Sequence, residues 1–567
     1  MKHALTSFFL AMMVILVPAA VQAHDFVVYS ICYNITGSNE VAVTYLGDNP
    51  YSGNYSGNID IPRTVTYNGK TYNVTSIGDM AFLFCENLKK VTIGPLVTSI
   101  GKMAFADCTS LSSVSFPGSL TSISSFAFMG CSSLTSVTLP NSLTTISFYA
   151  FEGCGLKSLT IPPSVTTIDA YAFGSCSGLS SLTIPPSVTR LGANPFVYCS
   201  GLKSITVEGG NPNYDSREGC NAIIETATNT LVTACQATII PSSVTAIGPY
   251  ACAECNGMSG NIIPSTVTSI GAYAFDGCVM SSVTIPGSVK AIDGNPFTNC
   301  PNLQSITVES GNSSYDSREG CNAIIETAAN KLVAGCVSTT IPRTVTALGD
   351  ESFMGCNGLT AITIPNSVTD LGECTFCDCG GLENVVMPNS VKEIKGHVFD
   401  FCEQLTSVTM PNALTSIGES AFSYCGRLSS ITIPATVTFI GEAAFLDCSS
   451  LKDVYSYIKS PASVTVEDDA FALFYPSYYG RTLHVPAGTV DAYKADKRWS
   501  NYFKRYEEMD VVVTGDVNGD GSVNISDVSM LIEAILSDSG FESALDVNGD
   551  GSVNISDVNA IIAIILQ

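Results

Sequence analysis

The chain has 567 residues with 25 basic and 50 acidic side chains, giving a formal net charge of -25 at pH 7. That balance disfavours nucleic acid and anionic lipid headgroups as partners, because phosphates must be met by cations. A 46% hydrophobic and only 13% charged composition excludes a disordered acidic tail, and four His leave little room for imidazole chemistry.

Residues 1–23 open with Lys2 and His3, continue with an apolar run from Phe8 to Val17, and end in Pro18 and small residues up to Ala23. This is the order of a secretory signal peptide, so a secreted, extracellular chain cleaved after Ala23 is expected. No later run of about 20 apolar residues suits a membrane span. Residues 24–74 read as an N-terminal β cap.

From residue 75 to 451 the chain repeats. Cys85, Cys108, Cys131 and Cys154 are 23 residues apart, and Cys356, Cys379, Cys402, Cys425 and Cys448 keep the same step. Residues 405–425, LTSVTMPNALTSIGESAFSYC, show the unit. Leu405, Val408 and Met410 predict an inward-facing strand that Pro411 ends, since proline has no amide hydrogen to donate. Leu414 and Ile417 form a second short apolar pair, Gly418 turns the chain, and Ala421, Phe422 and Cys425 pack the return. One unit cannot bury its apolar face alone, so stacking into a solenoid is expected, with a period in the leucine-rich-repeat range.

Two inserts, residues 207–240 and 308–341, are near copies offset by 101 residues. In the first, β-prone runs Asn221–Thr226 and Asn229–Ala234 flank Ala227-Thr228, which predicts a hairpin with Cys220 opposite Cys235. Cys321 and Cys336 are placed likewise. A cross-strand disulfide and two free buried thiols are both open readings there. The inserts read as structural variants of the repeat before adhesive knobs.

The outward positions of the predicted strands carry small hydroxyls, among them Thr92, Ser115, Thr138, Thr183, Thr307, Thr409 and Thr432. Such a face suits weak glycan or protein contacts, or only solvent. No paired carboxylates recur on it, so no catalytic site is expected. Trp499 is the one Trp that could serve as a sugar platform. Cys252-Ala-Glu-Cys255 and Cys374-Thr-Phe-Cys377-Asp-Cys379 have zinc-like spacings, but Cys255 and Cys379 are ordinary repeat cysteines, which leaves too few ligands.

These repeats resemble BspA-like leucine-rich-repeat proteins over about residues 25–505, with a C-terminal cap at 452–510 around TLHVPAGTVDAYKADKRW. The resemblance implies a surface-exposed or secreted bacterial protein that adheres to host or cell-surface proteins or glycans.

Residues 511–567 change character. Nine carboxylates and no Lys or Arg occupy 516–567, and DVNGDGSVNISD occurs at both 516–527 and 546–557. Oxygen side chains at loop positions 1, 3 and 5, Gly at 6, a carbonyl at 7 and a carboxylate at 12 wrap a hard cation. Two calcium ions are therefore expected. The first takes Asp516, Asn518, Asp520, the Ser522 carbonyl and Asp527, with Asn524 acting through water. The second takes Asp546, Asn548, Asp550, the Ser552 carbonyl and Asp557, with Asn554 in the corresponding place. Each loop precedes a helical stretch, Val528–Leu536 and Val558–Leu566. The second is apolar nearly all round, so cover over part of it is expected.

A duplicated loop and helix resembles a type I dockerin. The resemblance implies docking onto a cohesin-bearing scaffold or surface protein, through loop positions 10 and 11, here Ile525, Ser526, Ile555 and Ser556. The resulting expectation is a non-catalytic recognition protein, anchored by calcium-dependent docking. The alternatives are a solenoid merely clamped by calcium, without a cohesin, and an accessory enzyme of polysaccharide degradation.

Overall fold

The computed structural model describes residues 24–47, 49–258, 262–473 and 480–509, and, from 515 onward, residues 515, 517, 523, 525–537, 545–549 and 551–566. The expected signal peptide at 1–23 lies outside them. The chain divides into two compact units, Met1–Met258 and Ser259–Gln567.

In the first unit, strands Phe26–Val28, Ile31–Gly37 and Glu40–Thr44 run antiparallel, and Lys70–Ile77 pairs parallel with Glu40–Thr44. Lys70–Ile77 then starts a parallel ladder through Ser99–Ile100, Ser122–Ile123, Thr145–Ile146, Thr167–Ile168 and Arg190–Leu191. The cap thus covers the open edge of the first turn, where unpaired backbone would otherwise invite association. A second parallel ladder joins Gly57–Asp60, Leu88–Thr92 and Ser113–Ser115. The strand expected at the Leu-x-x-Val position is present, and the short apolar pair is a ladder in its own right. In the second unit the two ladders recur, for example Ala361–Thr363, Asn384–Val386 and Ser407–Thr409 on one side, and Glu393–Ile394, Ser416–Ile417 and Phe439–Ile440 on the other.

Between the ladders runs a column of phenylalanines. In the first unit Phe82, Phe105, Phe128, Phe151, Phe173 and Phe196 stack with centroids 4.8–5.5 Å apart. In the second unit Phe353, Phe376, Phe399, Phe422, Phe445 and Phe471 do the same at 5.0–5.5 Å. The repeat cysteines stand beside this column. Cys108, Cys131 and Cys154 donate their thiols to the carbonyls of Phe82, Phe105 and Phe128 at 3.0, 3.1 and 3.2 Å. Cys402, Cys425 and Cys448 donate to Phe376, Phe399 and Phe422 at 3.1–3.2 Å. Each thiol therefore satisfies a buried carbonyl of the preceding turn, which explains cysteine where alanine would fit the space.

Gly418 opens a turn as expected, its carbonyl accepting the Ala421 amide at 3.4 Å, and it also gives clearance: a Cβ there would lie 2.6 Å from the Gly396 nitrogen of the preceding turn.

Each insert forms its hairpin, Ile223–Glu225 with Thr230–Thr233 and Ile324–Glu326 with Lys331–Ala334. The predicted opposition of Cys220 and Cys235 is corrected by a register shift between Ile223 and Ile224, which pairs Ile223 with Thr233. The same shift occurs between Ile324 and Ile325. All four insert thiols are free and buried, with Cys235 donating to the Asn221 carbonyl at 3.3 Å and Cys336 to the Asn322 carbonyl at 3.3 Å. Thr230 and Leu231 pair parallel with Ala246 and Ile247, so the first hairpin is a turn of the solenoid. Tyr214 seals the junction by accepting the Leu191 amide at 2.8 Å, as Tyr315 does for Ile292. Tyr214→Phe should cost about 1 kcal/mol in denaturant unfolding, since the half-buried Leu191 amide loses its partner.

Glu152 is buried in the first unit, and burial pushes its carboxyl up to about 7 against a bond from Ser175 that lowers it. A carboxyl raised in the fold stabilises it fully below the unfolded value and loses that contribution as pH rises through about 7. Glu152→Gln should therefore leave stability unchanged at pH 4 and raise it by about 2–3 kcal/mol at pH 8.5, read as a pH-dependent melting difference.

In the second unit the solenoid's C-terminal cap carries helices Val490–Ala495 and Lys497–Ser500. Trp499 is fully buried against Phe471, Tyr493 and Phe503. It is core of the cap, which corrects its reading as a sugar platform. Arg481, also buried, donates to the carbonyls of Cys448 and Leu451 at 2.9 and 3.1 Å, satisfying the last carbonyls of the column.

Candidate calcium and docking site

Beyond the cap the described chain holds two helices, Ile525–Ser537 and Ile555–Ile565, packed through Val528, Leu531, Leu545, Val558 and Ile561. Each begins three residues before its predicted start. The cause in the second copy is a capping box: the Asn554 side chain accepts from the Ser556 amide at 2.8 Å, and the Asp557 carboxylate accepts the Asn554 amide at 2.9 Å. Loop position 12 thus lies in the first helical turn.

Of loop one, residues 517, 523 and 525–527 are described. Asp516, Asn518, Asp520, Ser522 and Asn524 lie outside the described residues, while Asp527 is fully buried. Loop two is described at Asp546, Asn548, Ser552, Asn554 and Asp557; Asp550 lies outside. Asp546 accepts the Gly551 amide at 2.8 Å, closing the turn, and Gly551 takes φ +81°, the left-handed conformation that glycine adopts freely. Asp557 is fully buried and also accepts the Asn548 amide at 3.1 Å. Backbone bonds thus hold Asp546 against Gly551 and Asp557 against Asn548, in a segment, residues 516–567, that carries no Lys or Arg. Burying a carboxylate such as that of Asp557 is costly, and a hard cation would offset that cost. The donor set fits calcium.

Position 10 points outward in both copies: Ile525 is 71% exposed and Ile555 66%. Ser556 is exposed beside Ile555, and the side chain of Ser526 lies outside the described residues. In the last helix Val558 and Ile561 face the partner helix, while Ile562, Ile564, Ile565 and Leu566 remain exposed, so the expected cover over that face is partial. One contact the sequence did not announce ties loop two to the solenoid, where Asn389 donates to the Gly549 carbonyl at 2.9 Å.

The outward strand positions Ser115, Thr183, Thr307, Thr409 and Thr432 are exposed as expected. Among the described residues no group of three or more His, Cys, Asp or Glu is arranged to hold a metal. No helix among them is long and apolar enough to cross a membrane.

The BspA type leucine rich repeat region matches residues 70–179, 98–218, 231–328 and 323–452, and the dockerin type I domain matches 514–566. No curated protein matches the chain significantly. Among solved structures, a leucine-rich repeat protein from Bacteroides ovatus is 25% identical over 86% of this chain and all of its own, at a TM-score of 0.32. A leucine rich cell surface protein from Faecalibacterium prausnitzii is 26% identical, covering 77% and 96%, at 0.35. The pneumococcal vaccine antigen PcpA is 16% identical, covering 84% and 96%, at 0.38. Both matched families are non-catalytic and typical of extracellular or cell-surface proteins, and a dockerin implies a cohesin partner and calcium. Repeat, column and duplicated loop agree: the chain belongs to the BspA-type leucine-rich-repeat family and ends in a type I dockerin domain.

Proposed function

We propose that this is a secreted, non-catalytic recognition protein whose dockerin binds a cohesin on a scaffold or surface protein in a calcium-dependent manner, presenting the repeats to a protein or glycan ligand. The observation that carries the reading is the pairing, in each copy, of a buried position-12 carboxylate with an exposed isoleucine two residues earlier. Calcium, held by Asp546, Asn548, Asp550, the Ser552 carbonyl and Asp557 and by their counterparts Asp516, Asn518, Asp520, the Ser522 carbonyl and Asp527, would neutralise the loops and fix the helices. Ile525, Ser526, Ile555 and Ser556 would then meet the cohesin.

The test is calorimetry of the full chain against a panel of type I cohesins, in millimolar calcium and in EDTA. Binding to at least one cohesin in calcium alone supports the reading. Two bound calcium ions with no cohesin bound would favour instead a calcium clamp on the solenoid, a second reading that the Asn389–Gly549 contact makes concrete.

A further inference from the structure

In the second unit, two neighbouring turns place reactive side chains where other turns place packing. Repeat positions 23 residues apart are Glu351, Cys374, His397 and Ser420, and three residues later Met354, Cys377, Asp400 and Ser423. Backbone bonds set the two reactive turns in register. The amides of Cys374, Phe376 and Asp378 donate to the carbonyls of Gly396, Val398 and Asp400 at 3.1, 2.9 and 2.9 Å. Cys374 therefore lies one turn from His397, and Cys377 one turn from Asp400.

Within its own turn the Cys377 amide donates to the Cys374 carbonyl at 3.1 Å. Such a turn brings the two Cα atoms to within about 7 Å, the separation range that a disulfide spans. Of the 22 cysteines, none in a disulfide, Cys374 alone is not buried.

Its chemistry differs from that of the column. Burial pushes the thiols of Cys379, Cys402 and Cys425 up, as inert packing groups. The neighbouring Cys377 thiol, and after it His397, hold the Cys374 thiol below the ordinary thiol range. His397 in turn donates from Nδ1 to the Asp400 carboxylate at 3.0 Å, and that bond is the main reason its imidazole is raised. The other charged groups acting on the pair are Glu351 on the preceding turn and Asp378 on its own, with Glu419 beyond His397.

We propose that Cys374 and Cys377 form a thiol–disulfide exchange site for low-molecular-weight disulfides, with Cys374 attacking, Cys377 resolving, and His397, positioned by Asp400, as the neighbouring cation. The Cys374 thiolate attacks one sulfur of the small disulfide, forming a mixed disulfide and expelling one thiolate. Cys377 then attacks the Cys374 sulfur, its proton passing to the thiolates released. Two protein thiols are oxidised to one disulfide, and one small disulfide is reduced to two thiols.

The first test needs no variant. Brief iodoacetamide labelling of the native full chain, read by peptide mass, should modify Cys374 at least about tenfold faster than any other cysteine. Oxidised glutathione should then consume two thiols and yield a Cys374–Cys377 cross-linked peptide, and in Cys377→Ser it should leave glutathione trapped on Cys374. His397→Asn should slow the labelling of Cys374 by roughly tenfold, and His397→Lys should restore it, because the charge and not the packing sets the rate. Labelling of Cys374 no faster than that of the column thiols, glutathione trapped on Cys374 in the unaltered chain without cross-linking, or a rate indifferent to His397→Asn would each overturn the proposal.

Discussion

Asp557→Ala should abolish one of two calcium-binding events in calorimetry of the full chain and leave the other intact. The carboxylate is fully buried, accepts two backbone amides and closes the capping box of Ile555–Ile565. Changes one shell away from a metal already cost roughly 10–100-fold in affinity, so losing a ligand should cost more than about a hundredfold. The missing cap should add about 1 kcal/mol of helix destabilisation even without the ion. Asp557→Asn separates the two effects, since it keeps an acceptor for one amide but loses the charge. It should retain part of the helix and little of the calcium. Cohesin binding should fall with the calcium in both variants, while the solenoid's own unfolding transition should stay where it was. If Asp557→Ala still bound two ions, the loop would not be a calcium site, and exposed Ile555 would lose its role as a calcium-ordered contact.

Most of this architecture was legible because the repeat writes itself at one position per turn. A cysteine every 23 residues is visible in sequence for the same reason that it is useful in space: its thiol meets the carbonyl of the turn before. The dockerin loops were legible because coordination needs oxygen at fixed spacings. What escaped the sequence were features set by local backbone geometry. The shift between Ile223 and Ile224 separates Cys220 from Cys235, and nothing in the side-chain pattern of those residues marks it. The two-residue ladder at Ser416–Ile417 is too short to show alternation. The sequence marks Asn554 as a calcium ligand acting through water, whereas its side chain also caps the helix and starts it three residues earlier. The approach of Cys374 to His397 was encoded in their 23-residue offset, but a pair split between two turns looks like two unrelated residues until the turns stack.

Phe399→Ala should be the most damaging single change in the second unit. Phe399 is fully buried between Phe376 at 5.5 Å and Phe422 at 5.2 Å, its amide donates to Ala421, and its carbonyl receives the Cys425 thiol. Truncation removes both stacking faces at once and opens a cavity that the neighbouring turns cannot close, because backbone ladders hold them apart on either side. Core substitutions of this kind cost about 3–5 kcal/mol. In a solenoid each turn contacts only its neighbours, so that loss is concentrated locally and should break the column's cooperativity at one point. Hydrogen exchange should show protection lost in the turns carrying Phe376, Phe399 and Phe422, while the first unit keeps its own. Phe399→Leu, which refills much of the volume without the ring, should recover more than half of the loss. A cost below about 1 kcal/mol for the alanine variant would mean that the column fills space without holding the stack, and that the two parallel ladders carry the stability instead.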